Sequence, residues 1–230
     1  MGNNILKGKR GVIFGAVNEN SIAWKTAEHA HAEGAVFVLS NMPAAMRLGN
    51  LDELAKKCNA EIITADASSV SDLEKLFTKA PEILGGNIDF ILHSVAMSYN
   101  VRKSREYDDL DYDFYLKTID VSALSFHKMI QTANKLDVLN NGASIVALSF
   151  LAAHRTSHGY NDMAEAKAML ESISRSFGYV LGRDKQIRVN TVSQSPVRSK
   201  ATNGLGYMEA VIDFSESISP PSAQFSAGNS

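Results

Sequence analysis

The chain holds one cysteine, Cys58, in 230 residues, so neither an intramolecular disulfide nor a cysteine-built metal site can form within it. Neither sign of charge is in excess. The 23 Lys and Arg stand against 25 Asp and Glu, a formal net charge of −2, which gives no electrostatic pull toward nucleic acid or an anionic membrane surface. No apolar run approaches the roughly 18 continuous positions of a membrane-spanning helix. The opening Met1-Gly2-Asn3-Asn4-Ile5-Leu6 lacks the apolar core of a signal peptide, and Leu6 stands where a myristoylation motif has Ser or Thr. Internal repeats are absent. These absences leave no membrane, no nucleic-acid partner and no metal among the expectations, and a reducing, cytoplasmic setting suits the lone thiol.

What is present is ordinary globular usage, 45% apolar and 21% charged, at a length that suits one domain with a real core. That domain is expected over residues 1–220. Residues 221–230 close a stretch rich in Ser, Pro and Ala that begins at Ser219 and reads as loop or disordered tail.

Strand-length apolar runs alternate with helix-length amphipathic stretches along the chain. Val12–Phe14, Ala35–Ser40, Glu61–Ala65, Ile88–His93, Ala143–Ser149 and Ile187–Val192 read as strands. Ser21–Glu33, Leu51–Cys58, Val70–Ala80, Phe114–Leu136 and Tyr160–Gly182 read as helices. In the first helix Ile22, Ala23, Ala27 and Ala30 share a face, and Gly34 stops it. Ala35–Ser40 is almost continuously apolar, the pattern of a strand buried on both faces. Such alternation predicts an α/β fold with a doubly wound parallel sheet and right-handed crossovers. Ligands of these sheets sit beyond the carboxyl ends of the strands, so the residues after each strand are the candidates for chemistry.

After the first strand comes Gly15-Ala-Val-Asn-Glu-Asn-Ser21-Ile22-Ala23. Gly15 permits a sharp turn and a close backbone approach. Ser21 can cap the next helix, whose N-terminus offers N–H groups and a positive dipole to a phosphate. This is not GxGxxG, and an ordinary strand–helix loop with an N-cap serine explains it equally well. Asn41 and Met42 follow the second strand without an acidic residue, and Arg47 lies farther on; this mildly favours NADH over NADPH. Asp66 and Ala67 follow the third strand, where the acid could meet an adenine amino group or simply cap a helix. Ser94-Val95-Ala96 after the fourth are small enough for a nicotinamide ribose to lie on backbone.

Past the fifth strand stand Tyr160 and, seven positions later, Lys167. If a helix begins near Tyr160, the two share a face. An ammonium stabilises a nearby phenolate, and such a tyrosine can serve an oxygen that gains negative charge. A packed Tyr and a solvated Lys at a common helical spacing is the bland alternative; the dinucleotide-type sheet tips the balance.

Taken together, Gly15-x5-Ser21-Ile22-Ala23, Asp66, His93-Ser94, Tyr160-x6-Lys167 and Ser195-Pro196-Val197-Arg198-Ser199 resemble the bacterial enoyl-acyl-carrier-protein reductases. These are a divergent branch of the short-chain dehydrogenases/reductases, and the likeness runs in register from about Leu6 to about Pro220. Ordinary members of the superfamily have lysine four residues after the tyrosine; that position here is Ala164. The resemblance implies a Rossmann-type single domain and reduction of the trans-2 double bond of enoyl thioesters on acyl carrier protein, in fatty-acid biosynthesis. It implies NADH as cofactor, with NADPH as the alternative, and a homotetramer. By position, Gly15, Ser21 and Ile22 would contact the pyrophosphate, and Asn41 or Met42 the adenosine ribose. Asp66 and Ala67 would contact the adenine, and Ser94, Val95 and Ala96 the nicotinamide side. Lys167 would hold the nicotinamide ribose, and Val197, Arg198, Ser199, Lys200 and Ala201 would close over the cofactor. Tyr160 would bond the thioester carbonyl. Ser98, Phe150, Met163, Leu205 and Met208 would line the substrate, the last two on a mobile flap, Ala201–Phe214, that also carries Tyr207.

Three positions depart from the family pattern. Phe150 stands where the family has a second tyrosine, keeping the ring and losing the hydroxyl, so weakened activity is expected. Ala96 replaces the glycine of the family's Ser-Ile-Gly, and overpacking at the nicotinamide is expected to cost about 1–3 kcal/mol of cofactor affinity. The likeness stops after Pro220, so the family's seventh strand is expected to be missing, which leaves an open sheet edge. A dinucleotide-binding relative without turnover, and a carbonyl reductase of the same superfamily, are the other two readings of these residues. The seven-residue spacing of Tyr160 and Lys167 counts against the second.

Overall fold

The computed structural model describes residues 3–47, 49–194, 212, 213 and 217. Its elements run β1 (Arg10–Phe14), α1 (Ile22–Ala32), β2 (Val36–Ser40), the single turn α2 (Pro43–Met46), α3 (Leu51–Cys58), β3 (Glu61–Ile62), α4 (Val70–Leu84), β4 (Ile88–His93), the short α5 (Tyr99–Arg102), α6 (Tyr112–Ile119), α7 (Ser125–Lys135), β5 (Leu139–Phe150), α8 (Asp162–Lys185) and β6 (Arg188–Gln194). The six strands form one sheet in the order β3-β2-β1-β4-β5-β6, and every pairing is parallel. The chain winds outward from β1 to β3, then returns to β4 on the other side of β1. The crevice for a ligand in such a sheet opens at that reversal, beyond Phe14 and His93.

Successive strand residues point to opposite faces, and each face is buried. Val12, Phe14, Val38 and Ile91 join one apolar cluster with Leu73, Leu76 and Phe77 of α4, Phe126, Met129 and Ile130 of α7, and Ala166 and Leu170 of α8. Ile13, Phe37, Leu39 and Leu92 join the other with Ala23, Trp24, Ala27 and Ala30 of α1 and Leu51 and Leu54 of α3. This is the doubly wound arrangement the apolar runs predict.

Several boundaries depart from the periodicity: β3 keeps only Glu61–Ile62 of the expected Glu61–Ala65, β1 begins two residues early at Arg10 and β6 runs on to Gln194; the larger departures are these. Val70–Ala80 extends through Pro81 to Leu84, where Gly85 in the left-handed region closes it. The predicted helix over 114–136 begins at Tyr112 and is interrupted by a π-turn over Asp120–Leu124. There the buried Ser122 Oγ accepts from Met97 N at 2.9 Å and donates to Met97 O at 3.1 Å. The last long helix starts at Asp162, not Tyr160, and runs on to Lys185. β5 starts at Leu139, which pairs with Ile88 before a register shift, and ends at Phe150.

Phe126 is fully buried and its ring lies 5.2 Å from that of His93. Phe126→Ala is expected to lower unfolding free energy by about 3–5 kcal/mol, read from the denaturant midpoint at unchanged m-value.

Candidate active site

The turn after β1 is built around one close approach. Gly15 has φ +97°, and a Cβ there would fall 1.9 Å from the Ser94 carbonyl oxygen, so only glycine lets the ends of β1 and β4 come together. Gly15 N donates to Ser40 O at 3.1 Å, and Ser94 N donates to Phe14 O at 3.2 Å. Ser21 occupies the N-cap of α1, but its hydroxyl makes no capping bond. It turns back into the loop, donating to Asn18 O at 2.6 Å and accepting from Val17 N at 3.2 Å. The expected serine cap is therefore replaced by a serine that shapes the loop. The N–H groups of Ile22 and Ala23, in the first turn of α1, have no intrahelical acceptor, and they carry the positive end of the helix dipole.

Asn41, after β2, is buried and donates to Ala16 O at 3.0 Å, while its Oδ1 accepts from Met42 N at 2.9 Å. It ties β2 to the first turn, and the exposed Met42 is the residue of this pair that presents a surface. Asp66 does not cap α4; Ser69 does, accepting from Asp72 N at 3.3 Å. Asp66 Oδ1 instead accepts from Ser68 N at 2.8 Å and Ser68 Oγ at 2.7 Å. Ala67 is buried in the core cluster. After β4, Ser94 and Val95 are partly exposed and Ala96 is exposed, so the extra methyl of Ala96 is open to a ligand and not packed into the fold.

Ser98 and Met163 lie deeper than their sequence positions suggest. Ser98 caps α5 by accepting from Val101 N at 3.0 Å, and it donates to Asp162 Oδ1 at 2.7 Å. Asp162 is fully buried and also accepts from Asn100 Nδ2 at 2.9 Å. Met163 packs in the core cluster. This network fastens the segment after β4 to the start of α8.

Tyr160 stands two residues ahead of α8, so the shared-face argument for Tyr160 and Lys167 does not hold as a helical one. What orients Tyr160 is the turn around it. Tyr160 N donates to Ser157 O at 3.2 Å, and its own carbonyl accepts from Met163 N at 3.1 Å. Asn161, at φ 46° and ψ −134°, is in a region that L residues occupy at a cost of order 1–3 kcal/mol; its Nδ2 donates to Arg105 O at 2.6 Å and holds it there. The Tyr160 ring lies 4.8 Å from that of Phe150. Beyond the loop, Arg105, Tyr107, His154, Arg155, His158 and Glu165 help line an open cavity of about 880 Å³; Gly159 and Asn161 border it and Tyr160 does not.

Lys167 is 5% exposed, and its Nζ donates to Leu148 O at 2.6 Å. Burial pushes its pKa down to about 8, against the opposing pull of Glu171. His93, also buried, is pushed down to about 3, by burial first and then by the Lys167 charge. Ser125 Oγ donates to Val121 O at 2.6 Å, so His93 Nε2 is the donor in its 2.8 Å bond to Ser125. The ring is then neutral, with Nδ1 lacking a partner among the described residues. The polar group that sequence reasoning missed is Glu171, buried one helical turn beyond Lys167; an acid four residues after a functional lysine was its visible signal.

Val197, Arg198, Ser199, Lys200, Ala201, Leu205, Tyr207 and Met208 lie outside the described residues. Of the flap stretch, Ile212 and Asp213 are helical and Ile212 is buried.

Ser98→Ala leaves the Asp162 carboxylate and the Val101 N–H each short of a partner. It is expected to lower stability by about 1–3 kcal/mol, measured by thermal or urea unfolding.

A family profile described as Enoyl-(Acyl carrier protein) reductase matches residues 15–226. The chain is 32% identical over 217 residues to the enoyl-[acyl-carrier-protein] reductase [NADH] 1 of Rhizobium meliloti, spanning 94% of this chain and 78% of that protein. It superposes on the FabI–NADH complex from Alistipes finegoldii with a TM-score of 0.92 at 58% identity, covering 94% of this chain and 77% of that one. The Bacillus cereus enoyl-acyl carrier protein reductase, solved with NADP+ and an indole naphthyridinone, superposes with a TM-score of 0.86 at 28% identity, covering 96% and 84%.

Proposed function

The chain belongs to the enoyl-(acyl carrier protein) reductase family, and from that membership we propose that it reduces the trans-2 double bond of enoyl thioesters carried on acyl carrier protein, using NADH, in fatty-acid biosynthesis. The observation that carries this reading is the placement of Lys167. A buried ammonium on the Leu148 carbonyl, at the carboxyl end of β5, is costly to desolvate, and groups perturbed in this way cluster at functional sites.

The residues fit a dinucleotide. The first turn of α1 offers Ile22 and Ala23 N–H groups to a pyrophosphate, beside a glycine that no side chain can replace. The first cation after β2 is the exposed Arg47, at the end of α2, which leaves little to meet a ribose 2′-phosphate and supports NADH over NADPH. Met42, Asp66 and Ala67 are proposed for the adenosine end, and Ser94, Val95 and Ala96 for the nicotinamide end. The stretch 197–201 is proposed to cover the cofactor.

Bound NADH supplies the hydride that adds to the β-carbon. Tyr160 donates its phenol hydrogen bond to the thioester carbonyl oxygen, where negative charge then gathers. Lys167 would hold the ribose hydroxyls. Phe150 and the Tyr160 ring form one wall of the acyl site, while Ser98 and Met163 act beneath it through packing. Carbonyl reduction would need only the Tyr/Lys pair, and the family membership argues against it.

A cytoplasmic location goes with this reading; no helix among the described residues is long and apolar enough to cross a membrane. A homotetramer is the proposed assembly, supported by the exposed Tyr112 and Leu116 on α6 and Tyr179 and Val180 on α8. Light scattering coupled to size exclusion is expected to give four times the 25.0 kDa chain mass, and a monomer would contradict it.

With NADH and crotonyl thioester, absorbance of the reduced nicotinamide is expected to fall, and Tyr160→Phe to lose about a hundredfold or more in turnover. NADH binding without turnover would point to a non-catalytic relative. Phe150→Tyr is expected to raise turnover by roughly 2- to 12-fold, the equivalent of one net hydrogen bond of about 0.5–1.5 kcal/mol. An unchanged rate would remove the missing hydroxyl as a cause of weak activity.

A further inference from the structure

Lys167 is served by more than the Leu148 carbonyl. Glu171 follows it by four residues on α8, on the same face of the helix, and is 7% exposed. Both carboxylate oxygens are anchored from outside the helix. Oε1 accepts from Ser149 Oγ at 2.5 Å, on the residue after Leu148. Oε2 meets His154 Nε2 at 2.5 Å, from the short turn after β5. Arg175 lies 4.0 Å from the same oxygen, one turn farther along α8 and largely exposed. The carboxylate is thus clamped between the end of β5 and the loop that leads to Tyr160.

We propose that Glu171 is a positioning residue of this reaction: clamped by Ser149 and His154, it is the counter-charge that keeps Lys167 an ammonium in its buried position beside the cofactor site. The proposal rests on the reductase reading, since that reading gives Lys167 its task.

Among the described residues, no other anion takes this role on the elements packed around Lys167. On α8 itself, Asp162 is bonded to Ser98 and Asn100, and Glu165 accepts from Tyr107 at 2.7 Å. On the π-turn, Asp120 pairs with Lys128 of α7 at 2.5 Å. His127 of α7 packs on Phe177, 4.9 Å between rings, and Arg188 of β6 is exposed. His93 of β4 faces Lys167 as a neutral ring. Tyr160 stands ahead of α8 with its ring against Phe150. Among the described residues, Glu171 opposes the desolvation that draws the lysine pKa down to about 8.

The sign follows. Lys167 works as the ammonium, so activity is expected to fall, in an alkaline limb, as pH rises through its pKa of about 8. Removing the Glu171 charge lowers the lysine pKa further and moves that limb toward neutral pH.

The test is the pH profile of turnover with crotonyl thioester between about pH 6 and 9.5, with NADH affinity followed over the same range by fluorescence. In Glu171→Gln the ratio of rate at pH 6.5 to rate at pH 8 is expected to grow about threefold or more over wild type, with NADH affinity weakening over the same interval. Glu171→Asp, which keeps the charge but draws it back by one methylene, is to shift the same limb by a smaller amount, and it carries the test if the glutamine variant does not fold. A wild-type limb in both variants, or a loss of rate by the same factor at every pH, overturns the proposal. If the wild-type chain turns over no enoyl thioester, the reductase reading fails. The NADH profile alone then decides on Glu171, by the same downward shift or its absence.

Discussion

A lysine ammonium shut away from water is the constraint around which this end of the sheet is arranged. Lys167 is buried by the helix that carries it, and burial alone would drive it neutral. It stays useful because β5 outruns β4. Pairing with β4 ends at Ala147, while pairing with β6 continues to Phe150. Leu148 and Ser149 therefore project past β4, one lending Lys167 a carbonyl and the next holding Glu171. The same charge helps keep His93 neutral at the end of β4, so one cation orders the protonation states of both neighbouring strand ends.

Tyr160 is held by a different device. It sits in a turn outside the helix, followed by a strained Asn161, and the strain persists because surrounding bonds fix it. Asn161 reaches the Arg105 carbonyl, while Asp162 takes bonds from Ser98 and Asn100. These partners all come from the segment after β4, the one proposed for the nicotinamide end of the crevice. Ser122 ties that segment down a second time through Met97. The tyrosine loop and the segment after β4 are thus fastened to one another, the kind of support the proposed role of Tyr160 needs.

The periodic parts of the fold were legible because periodicity reports burial. Leu51–Cys58 and Ile88–His93 carry their full bounds in the apolar pattern, and the parallel order of the sheet follows from strand–helix alternation. What was not legible depends on contacts across the chain. The π-turn over Asp120–Leu124 is shaped by Met97, which lies 25 residues away from Ser122. The late start of α8 depends on the Arg105 carbonyl. At the site, Gly15 and Lys167 stood out by residue type and place. Ser21 and Asp66 were found by type, yet their bonds differ from the capping roles their positions suggest. Glu171 escaped notice because nothing in the sequence places Ser149 and His154 against it.

The central claim is that Lys167 is kept charged and buried for a ligand's sake. Lys167→Met tests it directly, since methionine fills similar space without the charge. Unfolding and NADH titration of the same sample are compared with wild type. The account predicts a variant that binds NADH about tenfold or more weakly, one hydrogen-bonded charge being worth about 1.5–3 kcal/mol, and that is less stable than the parent, because Glu171 stays buried without its counter-charge. A variant that binds NADH as tightly as the parent would contradict it.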